Sequence, residues 1–75
     1  MKNYDVLVKN YICDVIDRNI VNLKKDVIHQ SEMVCFCNGY IEGVGDLLFS
    51  EDISFIDKSS LKDFAINYLH DSLKE

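Results

Sequence analysis

The sequence predicts an all-α fold, a small bundle of three or four helices in a single domain spanning residues 1–75. Three observations point there. Apolar residues recur at helical spacing from Asn3 to about His29, eight apolar positions between Met33 and Leu48 crowd one arc of a helical wheel, and a third apolar face runs from Leu61 to Leu69. No proline interrupts any of them, and proline is the residue a helix interior tolerates least.

In the first segment Tyr4, Leu7, Val8, Tyr11, Ile12, Val15 and Ile16 share a face, and the stripe then rotates to Ile20, Leu23 and Val27. Asp17-Arg18-Asn19 and Asn22 offer points of interruption, so this is one bent helix or two short ones. In the second segment Met33, Phe36, Cys37, Tyr40, Ile41, Val44, Leu47 and Leu48 fall within roughly 140° at about 100° per residue. Glu42, Asp46 and the glycines at 39, 43 and 45 fall outside that arc, and Ser31 is the expected N-cap. Each interior glycine costs a helix about 1 kcal/mol, so packing must hold this one together.

The middle segment also carries a rival signal. Asn38-Gly39 suits the type I′ turn of a hairpin, because both residues tolerate positive φ. The alternative is therefore an α+β fold with an N-terminal helix, a hairpin turning at Asn38-Gly39 and a C-terminal helix, in which the connection Ser50–Asp57 forms a third strand. The hairpin accounts for one dipeptide; the helix accounts for eight apolar positions and is preferred. The last segment is the plainest. Ser60 with Asp63 three residues on resembles a capping box, and Leu61, Phe64, Ala65, Tyr68 and Leu69 make one face.

Composition narrows the function classes. At 75 residues and 48% hydrophobic the chain is a globular domain with a small core, not a disordered tail. No apolar run approaches the ~20 residues of a membrane span, and Asp5 stands where a secretory leader would begin its apolar stretch. Three cysteines make no paired framework, which fits a reducing, cytoplasmic setting. Eight Ile against one Ala and seven Lys against one Arg resemble coding by an AT-rich genome, as in low-GC bacteria and their phages.

The net charge of −5 is unevenly spread. Residues 1–30 and 58–75 are close to balanced, whereas Glu32, Glu42, Asp46, Glu51, Asp52 and Asp57 meet no Lys or Arg between Ser31 and Asp57. Such a block repels phosphate and attracts basic surfaces, which argues against direct nucleic-acid binding.

Few residues suggest chemistry. Cys35-Phe36-Cys37 lacks the C-x-x-C spacing of zinc or redox sites, and on a helix its two thiols point about 200° apart. Even with Cys13 and His29 added, no metal site is expected. No phosphate-binding glycine loop, nucleophile elbow or H-E-x-x-H is present. Neither catalytic residues nor a cofactor are expected. Ser59 to Leu69 looks like the final helix of the acyl carrier proteins, a family that carries its prosthetic group on the serine of an Asp-Ser-Leu opening the second helix. Here Asp71-Ser72-Leu73 stands at the end of the chain given, and Ser31 follows His29-Gln30. The sequence departs from that family's pattern at its defining motif.

A contact surface is the remaining candidate. On a helix Gly39, Gly43 and Asp46 lie near one line with Glu42 beside it, an acidic strip of little bulk. The expected partner-binding residues are Glu32, Gly39, Glu42, Gly43, Asp46, Glu51, Asp52 and Asp57. The expected function is a small acidic interaction module, a regulator or inhibitor whose residues 31–57 bind a basic protein, with carboxylates imitating phosphates as a phage inhibitor would. A homo-oligomeric structural protein is the alternative, and a carrier or metal-binding domain comes last.

Overall fold

The computed structural model describes residues 2–50 and 54–75. Three helices dominate it, in the order β1 (Lys2–Asn3), α1 (Asp5–Lys24), α2 (Gln30–Ser50), β2 (Ser54–Phe55) and α3 (Lys58–Lys74). The all-α bundle is the fold, and the hairpin does not form: Asn38 and Gly39 lie inside α2. The eight-position apolar arc outweighs the turn dipeptide because burial of several large side chains exceeds the cost of helical glycine. Among the described residues after α2, Ser54–Phe55 form a two-residue strand. It pairs in parallel with the chain start, Lys2 opposite Ser54 and Asn3 opposite Phe55.

The three helix starts and the end of α1 follow from local chemistry, and they lie a little away from where the sequence suggests. Asn3 accepts the backbone N–H of Asp5 at 2.8 Å, and Asp5 places an acid in the first turn of α1, where the helix dipole favours it. The helix is uninterrupted at Asp17-Arg18-Asn19 and stops at Lys24 instead of running to His29. The stop is a Schellman closure: Asp26 N–H reaches Leu23 O at 3.2 Å and Val27 N–H reaches Asn22 O at 2.9 Å. Asp26 occupies the left-handed position at φ 60° that glycine usually takes. Val27 consequently leaves the apolar stripe and stands exposed.

The N-cap of α2 is His29 rather than Ser31. Its Nδ1 accepts the Ser31 N–H at 3.1 Å, while Glu32 Oε1 accepts the His29 N–H at 3.3 Å. The arrangement resembles a capping box, with an imidazole in place of the hydroxyl and its bond made to the second helical residue instead of the third. Likewise α3 begins at Lys58, before Ser60, because Asp57 is its cap and accepts the Ser60 N–H at 3.1 Å. The Asp57 N–H in turn donates to Asp5 Oδ1 at 3.0 Å, tying the starts of α1 and α3 together.

The core is built from Val8, Ile12, Val15, Ile16 and Leu23 of α1, Met33, Cys37 and Ile41 of α2, and Leu61, Ala65 and Leu69 of α3, with Ile56 beneath the last connection. Helix α3 packs along both of the others, whereas α1 and α2 meet each other more sparingly. Lys9 lies 5.3 Å from the Phe64 ring centre and helps to close the α1–α3 side. The molecule is a short rod, 41 × 18 × 18 Å. Its radius of gyration is 13.0 Å, against about 11 Å for a compact globule of this length.

Candidate interaction surface

The expected acidic strip turns inward. Glu42 and Asp46 lie on the side of α2 that faces α3, where Lys58 Nζ bonds Asp46 at 2.6 Å and Glu42 at 3.1 Å, and Lys62 Nζ bonds Glu42 at 2.5 Å. Hydrogen bonds from Lys62 and Lys58 hold the Glu42 carboxyl below its ordinary range. The bonds that Lys58 donates to Asp46 and Glu42 push its own ammonium up. All four groups remain in contact with water, so the network orients α3 more than it stabilises the fold. Gly45 belongs to the same arrangement. A Cβ there would stand 2.5 Å from Lys58 Cε and 3.3 Å from its Cγ, so the missing side chain is the bed on which the lysine stem lies.

The other expected residues serve separate purposes. Glu32 completes the cap of α2 and Asp57 caps α3. Gly39 and Gly43 are exposed, and a Cβ on either would meet nothing within 4 Å. Glu51 and Asp52 lie outside the described residues. Among the described residues the structure therefore brings together only Glu42 and Asp46 of this set, and it does so around two lysines of the same chain.

A different surface lies between α1 and α2. Tyr11 and Tyr40 meet across it with ring centres 4.6 Å apart, tilted by 34°. Burial, and then the neighbouring Tyr11, push the Tyr40 hydroxyl up from its ordinary value. On either side of this aromatic bridge the seam opens. One hollow of about 390 Å³ is lined by Tyr4, Leu7, Val8, Tyr40, Val44 and Leu48. The other, of about 260 Å³, is lined by Val15, Asn19, Ile28, Glu32, Met33 and Phe36. Leu7, Tyr11, Phe36 and Leu47 rim the seam with 60%, 39%, 49% and 62% of their surface exposed. The sequence places these four on the apolar stripes of their helices, and for α2 the signal was present: its apolar arc of roughly 140° is broader than the ~100° stripe a core-facing helix needs.

A third hollow, at the α1–α3 end, is more polar than these two and lined by Asp17, Ile20, Lys24, Tyr68, Asp71, Ser72 and Glu75. Its principal groups already have partners. The Tyr68 hydroxyl donates to Asp17 at 2.7 Å, and chiefly for that reason its pKa is pushed up to about 12. Lys24 Nζ donates to the Glu75 carbonyl at 2.7 Å.

The cysteines are all free. Cys35 is exposed while Cys37 is buried, as opposite faces of a helix require, and burial pushes the Cys37 and Cys13 thiols up. Among the described residues no group of three or more His, Cys, Asp or Glu is placed to hold a metal ion. No described helix is long and apolar enough to cross a membrane.

No family model, curated protein or solved structure matches the chain.

Proposed function

We propose that this chain is a small protein-interaction module, a regulator or inhibitor that acts by occupancy, with the α1–α2 seam as its docking surface. The observation that carries the reading is the pair of apolar hollows flanking the Tyr11–Tyr40 bridge on one face, rimmed by Leu7, Phe36 and Leu47. Contiguous exposed apolar surface of this kind marks protein contacts, and a groove between two helices suits a third amphipathic helix. The phosphate-imitating version rests on the net charge of −5, but its two central carboxylates already hold Lys58 and Lys62. Three free thiols support a cytoplasmic setting.

The test is a heteronuclear NMR titration with two designed helical peptides that share an apolar stripe and carry either Lys or Glu elsewhere. Shifts at Leu7, Tyr11, Phe36, Tyr40 and Val44 are expected with both peptides, and the Lys peptide should bind more tightly at low salt because the chain as a whole is acidic. Shifts centred on Glu42, Asp46, Lys58 and Lys62 would move the docking surface to the acidic strip and overturn the seam.

A further inference from the structure

Resting on that reading, we infer that the occupant of the seam is a second copy of this chain, so that the α1–α2 faces of two molecules meet about a twofold axis.

Area is the first support. At ~200 Å² for a whole large side chain, the exposed fractions of Leu7, Tyr11, Phe36 and Leu47 offer roughly 400 Å² of apolar surface per copy. Pairing two such faces doubles that figure. The partly buried Tyr4, Tyr40, Val44 and Leu48 between them bring the total to about 1,000 Å², where specific interfaces begin. An isologous contact achieves this with no further partner, because each face supplies both the ridge and the groove.

Charge is the second support. Two chains of −5 repel, so self-association is favoured where the facing surface carries little charge. Most of the seam meets this. The hollow around Tyr4, Leu7 and Val44 has no charged lining residue, Asp14 of α1 is paired with Arg18 at 3.0 Å, and Glu32 is the one charged residue lining the second hollow. Gly39 and Gly43, beside Phe36 and Leu47 on α2, leave open space where a facing helix can come close.

Sedimentation equilibrium of the intact chain across a concentration series, at low and at high salt, tests the assignment. The expected result is a monomer–dimer equilibrium that salt tightens, since salt screens the repulsion between two acidic bodies. Leu7→Glu and Phe36→Glu should each weaken dimerisation at least about tenfold, whereas Val6→Glu, on a different face of α1, should leave it unchanged. These positions are exposed, and circular dichroism melts verify that each variant is folded. A dimer indifferent to Leu7→Glu and Phe36→Glu overturns the assignment. So does a monomer at high micromolar concentration in both salts. If that monomer still takes the designed peptides on the seam, only the second-copy assignment falls; if it takes neither, the interaction reading falls with it.

Discussion

Helix α2 has two sides with opposite character. Toward α3 it presents Glu42, Gly45 and Asp46, and this side is closed: two lysines bridge it and one lies where a glycine side chain would be. Toward α1 it presents Phe36, Tyr40 and Val44, and this side gapes on both sides of the Tyr11–Tyr40 contact. The polar side is thus used within the molecule and the apolar side is left available. Net charge by itself is a poor guide to a docking surface, because charges are readily matched inside a chain and surplus apolar width is not.

The core where the two sides meet should give the largest effect. Ile41 is fully buried, so Ile41→Ala should cost about 2–5 kcal/mol. Phe36→Ser, half exposed on the seam, should cost less than about 1 kcal/mol of the monomer's stability. Equal losses in urea unfolding would erase the distinction between a sealed and an open side.

The glycines sharpen the contrast next. Gly39→Ala and Gly43→Ala should each stabilise by up to about 1 kcal/mol, since the new methyl meets nothing and helix propensity improves. Gly45→Ala should lack that gain, falling about 1 kcal/mol below Gly43→Ala, because its methyl displaces the Lys58 stem. Three identical gains in thermal melts would mean that the lysine does not depend on the glycine. Of similar size, Asp26→Gly should stabilise by about 1 kcal/mol by relieving the left-handed backbone that ends α1.

The charged side should respond to pH more weakly. Glu42 is held below the ordinary carboxylate range, foremost by Lys62. Its contribution is complete above about pH 4.3, the unfolded value, and is lost as pH falls through the folded one. Glu42→Gln should therefore flatten the acid limb of the stability profile below about pH 5; an unchanged limb contradicts the network. At the far end of the bundle, Tyr68 is raised to about 12 by its bond to Asp17. That bond contributes below about pH 10, the unfolded value, and its contribution fades as pH rises through the folded one. Tyr68→Phe should delete the last step of the tyrosine absorbance titration.

The bundle was legible in the sequence because periodicity records which residues face inward, and each apolar arc became a helix. The helix ends were legible only approximately. A histidine cap at His29 is not among the usual signals, and Asp26 stands where glycine marks a stop. The fate of the acidic block was not legible. Glu42 meets lysines 16 and 20 positions further along the chain, and only the packing of α3 on α2 brings them together. The seam was half legible: Leu7, Tyr11, Phe36 and Leu47 were recognised as apolar positions of their stripes. What the stripes could not say is that three helices in a rod leave part of such an arc uncovered.

The most direct measurement is a dilution series of heteronuclear NMR spectra on the unmodified chain. The account predicts concentration-dependent shifts confined to the seam, at Leu7, Tyr11, Phe36, Tyr40, Val44 and Leu47, with Glu42, Asp46, Lys58 and Lys62 silent. Shifts that spread over the lysine-bridged side while the seam stays fixed would contradict it.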